Sequence, residues 1–383
     1  MSKLTLDLQL LSPTVIAQRP TSPGQITRSP DYLSGTVLRG GIAGLWREHY
    51  GTQDEGHFQA IFVQGQLRFG NAWPQQLNGR TWIVPQSAAT EKRGGWFADG
   101  DEGVSDLLTQ LLREAEPDDM EPVGDTFVCE DTWKGRWEPL TARRRLISRT
   151  AIERAPAAGI TRGVAADGQL YSFEALETGQ CLRATISGPD HLITVLAKLL
   201  DARPTITVGQ GRSRGLGLVE ISQMTSAPEP ERDDHALVAA ITRFSTLAGA
   251  DHSQRLLPVT LESDTLLRDN YLLACSSADP HAVLSRYQQR VPTSMELVYA
   301  LQATHWIGGW EQIRRLPRPP QLAVAQGSVW VFGVATHELP TALAWWHAVE
   351  EHSLGERCAE GFGQVRLLHP FHDYREAEEE RRW

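Results

Sequence analysis

Apolar and polar residues alternate from residue 4 to residue 10, the two-residue period of a strand with one buried face. Residues 13–30 break that pattern with Pro, Ser, Thr and Gly and are predicted to form a loop. Between residues 35 and 50 the period lengthens. Val37, Leu38, Ile42, Leu45 and Trp46 recur at helical spacing, with Thr36 as the predicted N-cap. Strands are predicted near 64–69 and 81–85. The stretch from about 90 to 141 is long and polar, holds one predicted short helix at 104–114, and reads as an insertion rather than core. Regular patterning resumes with strands at 169–176 and 181–187, joined by the turn Thr178-Gly179, then a helix at 191–200 and strands at 205–208 and 218–221. Strand, helix, strand, strand, helix, strand is the order of a ferredoxin-like domain.

The Pro- and Glu-rich run at 226–235 reads as a linker. Beyond a helix at about 235–247, a similar order returns, with strands at 257–262, 295–303 and 329–334 and helices at 281–289 and 341–352. A last strand at 364–368 closes it. The fold class expected is therefore α+β, with two ferredoxin-like (RRM-like) domains and a large insertion in the first. The first spans 1–225, with the insertion at about 90–141, and the second spans 236–372. Residues 369–372 are expected to be peripheral, and 373–383 form a charged tail.

A chain of 383 residues can bury two cores. No apolar run approaches the ~20 residues needed to cross a bilayer, and the N-terminus lacks the apolar core of a signal peptide. Cys129, Cys181, Cys275 and Cys358 are scattered and form no CxxC pair, which points to a reducing compartment without a metal framework. A cytoplasmic location and no cofactor are expected. The net charge of −10 is unevenly spread: residues 99–131 hold twelve carboxylates and one arginine, carrying −11 and leaving the rest at +1. Residues 134–154 then hold Lys134, Arg136, Arg143, Arg144, Arg145, Arg149 and Arg154 against Glu138 and Glu153. Screening limits electrostatic reach to roughly 8–10 Å, so a local basic strip can bind phosphate on an acidic molecule. The alternative is that the acidic and basic blocks neutralise each other.

The most distinctive chemistry lies in Gly209, Gln210, Gly211, Arg212, Ser213, Arg214, Gly215 and Gly217, just ahead of an apolar strand. Glycine permits positive φ and has no Cβ, so successive backbone N–H groups can converge on an anion. The guanidinium forks of Arg212 and Arg214 match phosphate oxygens. A ligand with several phosphates in a row fits this design; a tight turn whose glycines only allow close packing is the alternative. A weaker copy runs from Gly355 through Glu356, Arg357, Cys358, Ala359, Glu360, Gly361 and Phe362 to Gly363, with two glutamates that reduce anion affinity. It is either a second phosphate loop or the structural echo of a duplication.

Taken together, these segments resemble the RAMP superfamily of CRISPR effector proteins. Tyr32-Leu33-Ser34-Gly35-Thr36-Val37-Leu38-Arg39-Gly40 is similar to the family's helix-opening motif. Residues 149–154 and 168–174 resemble its arginine-threonine segment and hairpin, and the 209–217 loop resembles its hallmark. Gly308-Gly309-Trp310 and residues 326–332 resemble the large two-domain RAMP subunit of type III-D complexes. The resemblance covers most of both domains but not the acidic insertion. It implies a non-catalytic subunit that grips the repeat-derived 5′ handle of a CRISPR RNA and caps one end of the effector filament. Its implied neighbours are RAMP backbone subunits and the large polymerase-like subunit, with no membrane contact. Many relatives carry a cysteine-pair zinc ribbon in the insertion; Cys129 has no partner cysteine, so no zinc is expected.

On this reading RNA contacts come from the 209–217 loop and from Thr36, Arg39 and Gly40, where a helix start favours phosphate. Arg143, Arg144, Arg149 and Arg154 either track an RNA backbone or pair with the acidic insertion. Trp306 and Trp310 bracket two glycines where a base can stack, or they are core or subunit contacts. Gly361, Phe362 and Gly363 supply the second loop. RAMP subunits that cut target RNA resemble one another in an aspartate after the first strand. Here Asp31, the only carboxylate from Ser12 to Arg39, abuts Tyr32 and is expected to cap. Guide-processing relatives use a histidine as general acid or base; His49 and His57 are candidates by position, without a recognisable partner. His347 and His352 are five apart, not the i, i+4 of joint ligation. No active site is expected. The alternatives are metal-independent endoribonuclease chemistry at His49 or His57, and metal-dependent target cutting at Asp31.

Overall fold

The computed structural model describes residues 2–16, 29–76, 79–91, 104–114, 120–124, 126–131, 136–153, 164–227, 233–311 and 316–373. Half of the expected linker (228–232), Arg154, the tail from 374 and residues 17–28 of the long loop lie outside the described residues.

The first half is built on β1 (Ser2–Leu10), followed by α1 (Gly35–Tyr50), the two-residue strand β2 (Arg68–Phe69), β3 (Cys181–Gly188), α2 (Asp190–Ala202), β4 (Thr205–Thr207) and β5 (Leu218–Ala227). The sheet order is β4-β5-β1-β3-β2, antiparallel throughout. β1 pairs with β3 from Ser2↔Gly188 to Gln9↔Cys181. Alternation puts Leu4, Leu6, Leu8 and Leu10 on one face, all buried under Leu38, Ile42, Leu45 and Trp46 of α1 and Leu192, Ile193 and Leu196 of α2. On the other face Asp7 and Arg183 pair at 2.6 Å.

In the second half α3 (Asp234–Leu247) leads to β6 (Gln254–Leu261), then β7 (Glu296–Leu301), β8 (Val329–Ala335), α4 (Leu339–His352) and β9 (Val365–Leu367). The order β7-β8-β6-β9 repeats the β2-β3-β1-β5 run of the first half. Here both sheet faces are covered. Leu257, Val259 and Leu261 pack with Trp346 on one side, while Leu256, Val329 and Val331 pack with Phe244 and Leu108 on the other. Cover on both sides explains why β6 and β8 read as nearly continuous apolar runs.

Several expectations are corrected. The helix expected at 281–289 is only a 3-10 turn at Leu284–Arg286, and it follows a bend held by Asp279, whose Oδ1 accepts from His281 N and Ala282 N at 2.9 and 2.7 Å. The strand expected at 64–69 shrinks to β2, because a π-helical turn, Gln59–Val63, comes just before it and ties Gln64 N and Gln66 N back to Gln59 O and Ala60 O. The strand expected at 169–176 leaves the central sheet: Val164–Leu176 pairs with Arg144–Glu153 as a separate ribbon.

Part of the polar 90–141 stretch is core. Phe127, Val128 and Cys129 are buried in a sheet formed by Gly79–Ile83, Phe127–Asp131 and Arg136–Pro139. Its helix is limited to Leu108–Leu112, with Leu108 packed against the second half. Residues 369–372 are not peripheral either. His369 and His372 are fully buried, His372 Nδ1 lies 2.7 Å from Asp106 Oδ2, and its Nε2 lies 3.1 Å from Thr260 Oγ1. Among the described residues no helix is long and apolar enough to cross a membrane.

Candidate nucleic-acid interface

The two glycine-rich loops are one structure built twice. In the first, Arg212–Arg214 form a 3-10 turn between left-handed Gly211 and Gly215. In the second, Cys358–Glu360 form the same turn between left-handed Arg357 and Gly361. Val208 N donates to Gly217 O at 2.8 Å, and Leu354 N donates to Gly363 O at 2.8 Å. Gly217 N donates to Pro13 O at 3.0 Å, matched by Gly363 N to Asp264 O at 2.9 Å. Gln210 N donates to Val15 O and Glu356 N to Leu266 O, both at 2.9 Å. Even the serine that closes each loop corresponds: Ser12 Oγ accepts from Leu218 N, and Ser263 Oγ from Gln364 N, both at 2.8 Å. A Cβ on Gly217 would lie 1.9 Å from Val208 O, and one on Gly363 would lie 1.8 Å from Leu354 O. Only glycine fits at either crossing.

Their surroundings differ completely. The second loop is pressed onto the start of α1. A Cβ on Gly361 would meet Phe69 O at 2.7 Å and Gly35 Cα at 3.2 Å, and one on Gly65 would meet Ala359 Cβ at 2.9 Å. Thr36 Oγ1 donates to Glu360 O and Oε2 at 3.3 and 3.2 Å. Thr36 is therefore not the N-cap; Ser34 holds that position without a side-chain bond, and Gly35 N donates to Asn71 Oδ1 at 2.8 Å. Arg318 Nη1 donates to both Glu360 oxygens at 3.0 Å, and Arg357 Nη2 donates to Oε2 at 2.8 Å. Burial raises the Glu360 pKa most, but Arg357 and Arg318 together hold it below the ordinary carboxylate value. Gly361, Phe362 and Gly363 thus belong to a joint between the halves. Thr36 and Arg39 belong to it as well. The Arg39 guanidinium donates to Phe62 O; burial lowers its pKa, Glu360 opposes that, and Arg318 and Arg357 add to it. Gly40 sits on the exposed face of α1.

The first loop presents its turn outward. Arg212, Ser213, Arg214 and Gly215 are exposed, and a Cβ on Gly215 would meet no atom within 4 Å. Behind it Leu216 packs with Val15 and Ala175, flanked by Ile147 and Phe173 of the long ribbon. The basic strip therefore grows from the flank of the loop, a proximity that spacing along the chain did not reveal. On that ribbon Arg144 is engaged: its Nη2 lies 2.5 Å from Asp31 Oδ1 and its Nη1 lies 3.6 Å from Glu174 Oε2, neither in the insertion. Arg143 and Arg145 are exposed, whereas the Arg149 side chain lies outside the described residues.

Asp31, tied to Arg144, is neither a helix cap nor an unpaired carboxylate. His57 has a partner after all, Asp54 Oδ1 at 2.7 Å from its Nδ1. His49 lies edge-on to Tyr50. Trp306 is 68% exposed on the hairpin Thr304–Ile307/Gln321–Val324, while the Trp310 side chain lies outside the described residues.

No protein-family model and no curated protein matches the chain. Solved structures do match. A chain of the Type III-B Cmr-beta complex bound to cognate target RNA and AMPPnP is 9% identical, covers 96% of this chain and 99% of its own, and gives a TM-score of 0.41. The product of a Cas6-related gene from Pyrococcus furiosus is 10% identical, with coverages of 96% and 98% and a TM-score of 0.37. A RAMP protein binding different RNA substrates is 8% identical, with coverages of 96% and 100% and a TM-score of 0.36. Similarities of this size leave the role to be read from the chain's own residues.

Proposed function

We propose that this chain is a non-catalytic CRISPR RNA-binding subunit of a type III effector complex, of the large two-domain RAMP kind. It grips the 5′ handle of the guide through the 209–217 loop, beside Arg143 and Arg145, and caps one end of the filament. The observation that carries this reading is the inverted charge of two otherwise matching loops. Cys358-Ala359-Glu360 meets protein, and its carboxylate suits the positive N-terminal end of α1. Arg212-Ser213-Arg214 places two guanidinium groups on the same exposed turn, which suits an anionic occupant instead. The strand order shared by the two halves, β2-β3-β1-β5 and β7-β8-β6-β9, supports the RAMP assignment.

The capping role has its own support. The joint between the halves is head-to-tail, a loop of one seated on the helix start of the other, and such joints can repeat. The second half has no counterpart of α1 among its described residues, so it offers no such helix start to a further loop. The stack would end there, while the first half meets the RAMP backbone subunits in the cytoplasm and keeps its 209–217 loop for RNA.

Handle-RNA binding by the Arg212→Ala/Arg214→Ala protein tests the reading. Affinity should fall roughly tenfold per arginine with the circular dichroism spectrum unchanged. Undiminished affinity in a folded variant would sink it. The Asp54–His57 pair favours one other reading, endoribonuclease chemistry. Repeat-RNA cleavage in EDTA that disappears in His57→Ala would move the assignment there.

A further inference from the structure

We infer that a second anion site lies in the other half of the molecule, a cleft that takes a phosphate group. The cleft has a volume of about 390 Å³ and is lined by Arg268, Arg318, Pro319, Pro320 and Gln321. Its polar wall continues into the joint: Gln321 Oε1 accepts from Arg357 Nη1 at 3.3 Å, and Arg318 Nη1 reaches Glu360 at 3.0 Å. Three guanidinium groups, Arg39, Arg318 and Arg357, thus surround the Glu360 carboxylate, and Arg268 adds a fourth at the cleft. Behind the lining, the buried Nε atoms of Arg39 and Arg357 have no hydrogen-bond partner. A guanidinium group has five N–H donors and no acceptor, so donors outnumber the acceptors that Gln321 and Glu360 supply.

At the cleft a phosphate supplies negative charge and several acceptor oxygens to Arg268 and Arg318, in a geometry that matches guanidinium forks. The cleft exceeds the size of a bare phosphate and leaves room for an attached sugar. Pro319 and Pro320 give it a wall of fixed φ without N–H groups. The ligand class is a phosphate ester, either a diester of an RNA backbone or a free monoester. This site shares no residue with the 209–217 loop, so each stands or falls separately.

The full-length protein is titrated with inorganic phosphate, uridine 5′-monophosphate and 5′-hydroxyl tetrauridylate, against chloride at matched ionic strength. Binding is read by calorimetry and by the shift in Tm. The Arg212→Ala/Arg214→Ala protein, in which the 209–217 loop no longer contributes, is the parent for the variants below, and this parent should still bind. Arg268→Ala should weaken binding about tenfold. Gln321→Glu places the protein's own carboxylate beside Arg357, so it should abolish binding while keeping or raising the Tm without ligand. Monoester binding without tetrauridylate binding identifies a free nucleotide or phosphate as the source; the reverse identifies an RNA backbone. No binding of any probe by the parent, or equal binding by the parent and by its Arg268→Ala and Gln321→Glu derivatives, overturns the site.

Discussion

Gly215 and Gly217 share a φ of 77° but differ in what a side chain would meet. At Gly215 an added methyl faces open space, so Gly215→Ala incurs only the left-handed backbone cost of about 1–2 kcal/mol. At Gly217 the methyl would drive into Val208 O, and the Val208–Gly217 hydrogen bond that closes the loop would be lost. Gly217→Ala should therefore destabilise by on the order of 3 kcal/mol or more, and calorimetry should rank its Tm well below that of Gly215→Ala. Equal shifts would remove the close-approach account. His369 gives a second residue-scale test. Burial pushes its pKa well below 6.5, with His372, Arg366 and Arg80 adding to the effect. The unfolded chain thus binds a proton that the folded one refuses. The stability His369 provides is complete above pH 6.5 and falls as pH drops toward its folded value, by up to about 1.4 kcal/mol per pH unit. Wild-type Tm should decline on acidification below that point, and His369→Asn should flatten the decline.

Helix starts show how far sequence patterning reaches at the scale of elements. Asp233 falls in the run read as a linker ahead of an apolar period, and it caps α3, accepting from His235 N and Ala236 N. Asp233→Ala should cost about 1 kcal/mol in urea denaturation. Thr36, equally plausible by type, instead spends its hydroxyl on Glu360, a partner 324 residues away. Thr36→Ala should leave α1 intact by circular dichroism and loosen only the joint.

The same division runs through the fold. β1, α1, α2 and α4 were legible because each buries one periodic face against its own core. The 281–289 stretch has apolar residues at suitable spacing, but the local bond from Asp279 turns the chain before a helix can grow. The ribbon strand Val164–Leu176 carries strand patterning that cannot name its partner. Asp106, His369 and His372 read as surface residues because burial of a polar pair depends on contacts far apart in sequence. At the candidate site the glycines and arginines of the first loop were visible, whereas the docking of its twin onto α1 was not.

Over the whole molecule, one carboxylate decides how the halves meet. Glu360 receives Thr36 from the first half and Arg318 and Arg357 from the second, with Arg39 close by. Gln at this position keeps the shape and most acceptors but leaves three guanidinium groups with no counter-charge. Because the site is only partly shielded, Glu360→Gln should cost roughly 2–3 kcal/mol, below the range for a fully buried pair. The pH dependence separates charge from shape. A carboxylate held below 4.5 in the folded state stabilises above that pH, and the contribution is lost as pH falls through the folded value. Wild-type protein should lose stability from this source in acid, and Glu360→Gln should already lack it at neutral pH. The variant also raises the positive charge beside the Arg318 cleft. Inorganic phosphate should therefore raise the Tm of Glu360→Gln more than that of the wild type, recovering part of the lost stability. If the variant melts like the wild type and ignores phosphate, Glu360 merely fills space, and the joint owes its stability to the close backbone packing of the second loop on α1.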